Sequence, residues 1–241
     1  MRVSAGRGLI VLATFAVVCP FPASDGAFAA RLALTRGVQS LVILDRPVVA
    51  RAAPAPHAPV VGAVSVRTPL TGAQTVLPVV AKASGPDGGS WLKVRLPMRP
   101  NGSTGWVPAY VGAPDTTTWR IVVRRDERRA VVFDNGRVRA RFAVVVGKPA
   151  TPTPLGMFFV VEKVHLGATE QGAPWALATS AYSDVLQEFD GGPGQVALHG
   201  TTGLTGRLGT FASHGCIRFA PSAITWIAEH VDGGTPIVVS R

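Results

Sequence analysis

The sequence predicts a mainly β protein in two parts, with one late helix. Three observations carry that reading. Glycine (27) and proline (20) together make about a fifth of the 241 residues and are spread without period, which favours short strands joined by turns and excludes a collagen-like repeat. Stretches such as Trp91-Leu92-Lys93-Val94-Arg95-Leu96 alternate with period two, as half-buried strands do. Only Pro221 to Val231 has convincing helical spacing, with proline at its start and Ala223, Ile224, Ile227, Ala228 and Val231 on one face. Hydrophobic residues are 47% and charged residues 16%, so general disorder is excluded and a core can form without disulfides.

Taken in order, Arg2 and Arg7 precede an apolar run from Leu9 to Val18, followed by small residues ending Ala27-Phe28-Ala29-Ala30. This is the pattern of a secretory signal peptide over residues 1–29, and the run is short of the ~20 residues that span a bilayer. An uncleaved anchor and a lipidated Cys19 are the alternatives. No other segment is apolar enough to cross a membrane, so no stable span is expected after cleavage. Residues 30–59 are rich in alanine and proline and read as a lead and linker, with Arg51 to Pro59 an extended linker or edge strand. Residues 60–114 read as short strands broken by turns at Gly85-Pro86-Asp87-Gly88-Gly89 and Pro100-Asn101-Gly102. Ala113-Pro114-Asp115 and the threonines after it mark the boundary with a second part, residues 118–240.

In that second part Trp119 to Val123 and Ala130 to Phe133 read as strands around a solvated Arg124–Arg129 turn. Asn135-Gly136 fits a type I′ hairpin, because asparagine and glycine tolerate its positive φ. Beyond it Val138, Ala140, Phe142 and Val144 alternate with three arginines. Gly147 to Gly156 is a turn-rich crossing and Met157 to Val164 a strand. Residues 165–195 read as a long loop containing a short strand at Ala176 to Ser180. After the helix, Asp232-Gly233-Gly234 is a stop and Pro236 to Ser240 a last strand.

Net charge is +10. In an exported chain without an aromatic-basic motif, this favours an anionic cell-wall polymer or membrane surface over nucleic acid. The two cysteines are too few for a disulfide scaffold, and loss of the leader leaves Cys216 alone. It lies two residues from His214 and seventeen from His199, in a chain with only five histidines. An imidazole can take a thiol proton and release a thiolate nucleophile. Three readings compete on spacing: a cysteine nucleophile with a histidine base performing acyl transfer, a zinc site of His199, His214 and Cys216, and a core cysteine among structural histidines.

Ser213-His214-Gly215-Cys216-Ile217-Arg218, preceded by His199-Gly200-Thr201, resembles the active-site signature of the L,D-transpeptidase (YkuD-type) catalytic domain. Gly147-Lys148, Thr153-Pro154 with Gly156, and Pro174-Trp175 extend the likeness over residues 118–240. Some family members carry asparagine at the position of Arg218. The resemblance implies a β-sandwich-like catalytic domain with no cofactor and no metal. It implies Cys216 as the nucleophile that attacks a peptidoglycan tetrapeptide stem and releases D-alanine, and a second stem as acceptor, giving a 3→3 cross-link and sensitivity to carbapenems. His199 would be the base, its ring oriented by the Gly200 carbonyl. N–H groups around Gly215 and Cys216 would form the oxyanion hole, with His214 beside it and Ser213 and Thr201 bracing the loop. Arg218 would pair with a carboxylate of the protein or of the substrate. Trp175 and Tyr182 would line the cleft. The protein is then expected in the periplasm or cell wall. Thioester hydrolysis, giving an L,D-carboxypeptidase, and a non-catalytic wall-binding protein are the alternatives. Trp91 to Val107, with W-x-x-V followed by G-W-V, resembles the closing hairpin of bacterial Src-homology-3-like modules and implies a small barrel-like N-terminal module.

Overall fold

The computed structural model describes residues 37–189 and 191–241. The proposed leader lies outside the described residues. The described residues fall in one compact unit, and no helix among them is long and apolar enough to cross a membrane.

Seven strands build the first sheet: β1 (Gln39–Leu44), β2 (Val48–Arg51), β3 (Val60–Val64), β4 (Val76–Ser84), β5 (Ser90–Arg95), β6 (Thr104–Pro108) and β7 (Gly112–Thr117). Their order is β3-β2-β6-β5-β4-β1-β7, antiparallel throughout. The linker reading of residues 30–59 is therefore corrected, since β1 lies between β4 and β7 and buries Leu41, Val42 and Leu44. Leu41-Val42-Ile43-Leu44 is an unbroken apolar run covered on both faces, and such a strand shows no alternation. The β5–β6 hairpin turns through Pro100-Asn101-Gly102, where the sequence placed it.

The second sheet holds β8 (Trp119–Arg124), β9 (Arg129–Asp134), β10 (Arg137–Ala143), β12 (Gly156–His165), β13 (Trp175–Tyr182), β14 (Gln195–Gly200), β16 (Ile217–Phe219) and β17 (Pro236–Ser240). The small strands β11 (Val146–Gly147) and β15 (Phe211–Ser213) pair beside it. The order is β10-β9-β8-β17-β12-β13-β14-β16, with β8/β17 and β14/β16 parallel. Asn135 and Gly136 have φ of 48° and 74°, as a type I′ turn requires. β10 is an edge strand, and its Val138 is exposed rather than core-facing; a register shift between Val138 and Ala140 breaks the alternation read from sequence. β13 spans eight residues, not the five expected within a long loop. Apart from Leu177 its interior is small or hydroxylic, and its buried polar groups are satisfied locally. Thr179 Oγ1 donates to the Val196 carbonyl at 2.6 Å and Ser180 Oγ accepts the Phe159 N–H at 3.1 Å. Hydropathy therefore understates the length of this strand.

The helix α1 (Pro221–His230) buries Ala223, Ile224, Ile227 and Ala228 against one core, which also contains Leu177, Leu198, Ile217, Phe158 and Val160. A second core joins Val42, Leu44, Leu77 and Val94 of the first sheet to Phe159 and Val161. Successive residues of β12 thus serve opposite cores, because side chains alternate across a strand.

Candidate active site

The site stands at the ends of β14 and β16, which run parallel with His199 opposite Arg218 in register. Leu198 and Ile217 point into the core, so alternation sends Ala197, His199, Cys216 and Arg218 to the other face. There they meet a cleft of about 640 Å³ whose lining includes His199, His214, Cys216 and Arg218.

The turn that presents the thiol is closed from within. Ser213 is fully buried, its Oγ donating to the Cys216 carbonyl at 2.6 Å and accepting the Gly215 N–H at 3.1 Å. Gly215 has φ of 124°, a conformation that side-chain-bearing residues rarely adopt. The crossing after β11 clamps the same turn. Thr153 Oγ1 accepts the Gly147 N–H at 2.9 Å and donates to the Gly215 carbonyl at 2.8 Å. The Lys148 N–H reaches the Ser213 carbonyl at 3.0 Å. Gly147 has no room for a side chain, since a Cβ would meet the Thr151 carbonyl oxygen at 2.3 Å.

Cys216 is half-buried, and Ala197 donates its N–H to the sulfur at 3.4 Å. Burial pushes the thiol up from its ordinary value, opposed by that N–H and by the charge of Arg218. Burial pulls His199 below the ordinary imidazole range, the Gly200 hydrogen bond opposes it and Arg218 adds to it. Both shifts favour a neutral thiol beside a neutral imidazole at rest, rather than a standing ion pair. His199 Nδ1 lies 2.8 Å from the Gly200 carbonyl oxygen. The carbonyl can only accept, so Nδ1 carries the hydrogen and Nε2 the lone pair. No hydrogen bond links the Cys216 sulfur to either imidazole among the described residues.

Several expected positions need correction. The Gly215 N–H is committed to Ser213 and cannot serve an oxyanion, whereas the N–H groups of His214 and Cys216 have no partner among the described residues. Arg218 is buried but meets no carboxylate. It donates to the Thr205 carbonyl at 2.7 Å, and its Nε has no partner. Trp175 packs on the core with its ring against His165, at 4.8 Å between centroids, and does not line the cleft. Tyr182 is tied to the first sheet, its hydroxyl donating to the Pro97 carbonyl at 3.1 Å. Thr201 starts a turn beyond β14, its carbonyl accepting the Leu204 N–H at 3.1 Å. His214 sits exposed at the rim, with Lys148 Nζ donating to its Nε2 at 3.2 Å and the Phe189 ring 5.2 Å away. No three of histidine, cysteine, aspartate and glutamate gather as a metal-ligand set among the described residues, so the two histidines and the cysteine do not converge as the zinc reading requires.

Sequence reasoning missed Gly172. Its φ is 88°, and a Cβ there would lie 2.9 Å from His199 Nδ1. Its carbonyl accepts the Gly200 N–H at 2.7 Å. The Gly-x-Pro context of Gly172-Ala173-Pro174 was the available hint of a close backbone approach.

The chain is 27% identical over 133 residues to the YkuD protein of Bacillus subtilis, covering 54% of this chain and 72% of that one. An L,D-transpeptidase structure from Mycobacterium tuberculosis aligns with 69% of this chain and 90% of its own, at 15% identity and a TM-score of 0.45. A mutant L,D-transpeptidase of Enterococcus faecium aligns with 51% of this chain and 50% of its own, at 24% identity and a TM-score of 0.40. Residues 118–239 match the family model of the L,D-transpeptidase catalytic domain, called YkuD, and the chain belongs to that family.

Proposed function

We propose that the protein is an exported L,D-transpeptidase that joins peptidoglycan stems by 3→3 cross-links through a Cys216 thioester. The observation that carries this reading is the placement of His199, on β14, and Cys216, just before the neighbouring β16, in one cleft, with the histidine's Nε2 left as proton acceptor. In the first half-reaction the sulfur bonds to the carbonyl carbon preceding the terminal D-alanine, and its proton passes to His199 Nε2. The tetrahedral oxyanion is held by the Cys216 and His214 N–H groups, each such donor being worth about 3 kcal/mol of barrier. Collapse breaks the C–N bond, and the imidazolium returns the proton to the departing amine. The amine of a second stem then attacks the thioester, loses its proton to His199 and displaces the thiol. The buried, unpaired Nε of Arg218 supplies a positive group for a carboxylate of the donor stem. We read the first sheet as a Src-homology-3-like module and residues 1–29 as the leader that exports it.

Intact-mass measurement after incubation with a carbapenem should show one covalent adduct, absent from Cys216→Ala. Product analysis on defined tetrapeptide muropeptides should show cross-linked dimers. Trimmed tripeptides alone would instead mean that water takes the place of the acceptor amine, and an adduct surviving Cys216→Ala would overturn the assignment.

A further inference from the structure

We propose that Arg99 and Asn101, in the β5–β6 turn of the first sheet, are positioning residues for the donor stem, because they hold the 183–194 segment that walls the catalytic cleft. The inference rests on the transpeptidase reading of that cleft and names the part of the chain that shapes it.

One guanidinium gathers both limbs of the segment. Arg99 Nη1 donates to the Ser183 carbonyl at 2.8 Å, and Nη2 donates to the carbonyls of Leu186 and Pro193 at 3.0 and 3.1 Å. The planar fork suits arginine and no other cation. The same group lies over the Tyr182 ring, 5.1 Å from its centroid. Asn101 continues the clamp: its amide nitrogen donates to the Tyr182 carbonyl at 2.7 Å and to Asp184 Oδ1 at 3.0 Å, and its oxygen accepts the Tyr182 N–H at 2.8 Å. The limbs close on each other where the Ser183 N–H meets the Gly194 carbonyl at 2.8 Å. Gly194 has φ of 66°, and a Cβ there would meet the Leu186 carbonyl oxygen at 2.2 Å and Arg99 Nη2 at 3.2 Å.

The held segment presents Ser183, Leu186 and Phe189 to the cleft that contains Cys216. It has little apolar anchorage of its own, since Val185 and Phe189 are exposed. A segment with few buried apolar contacts opens at low cost unless hydrogen bonds hold it. Phe189 also stands against the His214 ring. Arg99 touches neither Cys216 nor His199. Its loss should therefore weaken productive binding of a long peptide while sparing the intrinsic reactivity of the thiol.

The test uses the full chain and three readouts on Arg99→Ala and Arg99→Lys: steady-state turnover of a tetrapeptide muropeptide, alkylation of Cys216 by iodoacetamide, and amide hydrogen exchange. For Arg99→Ala, KM should rise about tenfold with kcat and alkylation rate within about twofold of wild type, and exchange should quicken selectively over 183–194. Arg99→Lys keeps the charge without the fork and should fall between the two; it carries the same test should the alanine variant fail to fold. Unchanged KM with unchanged exchange over 183–194 would overturn the proposal. So would exchange quickened evenly across the chain, the mark of a merely structural residue. If the wild-type protein forms no product from the muropeptide, the transpeptidase reading fails, and the selective exchange response alone then decides whether Arg99 holds the segment.

Discussion

Replacing Thr153 by valine removes one oxygen and orphans two backbone groups. Thr153 is fully buried, its hydroxyl bridging the Gly147 N–H and the Gly215 carbonyl. A buried polar group stripped of its partner costs about 1–3 kcal/mol. Two such losses, partly offset by roughly 0.8 kcal/mol for the extra apolar carbon, leave a net destabilisation of about 1–5 kcal/mol, centred near 3. Thr153→Ser keeps the bridge and gives up only a methyl, at about 1 kcal/mol. Urea unfolding of both variants, compared at common slope, should therefore place the valine midpoint below the serine midpoint. The damage should also reach the thiol, because Gly215 precedes Cys216 in the same turn. Acylation by a carbapenem should slow by about tenfold in Thr153→Val and by less than about threefold in Thr153→Ser. Equal urea midpoints, or a valine variant acylated as fast as wild type, would refute the claim that this hydroxyl sets the turn that carries Cys216.

Gly172→Ala should lower kcat more than stability, because the new Cβ would press on His199 Nδ1 at 2.9 Å while the φ of 88° adds about 1–2 kcal/mol of backbone strain; a kcat unchanged in a folded variant would show that the histidine ring has room to yield. The pH dependence follows from the two burial shifts: the acid limb of kcat/KM should fall below the ordinary imidazole range because His199 is lowered, and alkylation of Cys216 without substrate should keep rising above the ordinary thiol range because Cys216 is raised. Rates measured across pH check both, and an alkylation midpoint near neutrality would show a standing thiolate–imidazolium pair instead.

Much of this was legible from one dimension. The Asn135-Gly136 hairpin, the β5–β6 hairpin and the Pro221 helix each rest on local chemistry that needs no partner, and the structure has them where the sequence put them. The histidine–cysteine spacing was equally visible, because the two parallel strands that align His199 with Arg218 also bring Cys216 alongside. What failed was whatever depended on a distant covering surface. β1 carries no alternation, since both of its faces are enclosed, and for the same reason β13 runs to eight residues where five were expected. Trp175 and Tyr182 are neighbours of the cleft in sequence, yet one turns to the core and the other to the first sheet. The Gly215 N–H differs from its expected role because a serine two residues back takes it, a contact that only a folded turn creates.

The double allegiance of β12 limits how this chain can be cut or recombined. Severing it near residue 115 would unroof Phe159 and Val161, which are 1% and 7% exposed, forfeiting about 1.5–3 kcal/mol for each large side chain returned to water. The front half is thus not a bead that can be swapped for another by splicing at the boundary. Any exchange would have to rewrite every second residue of a strand belonging to the enzyme itself, and the two halves should melt together in a single cooperative step.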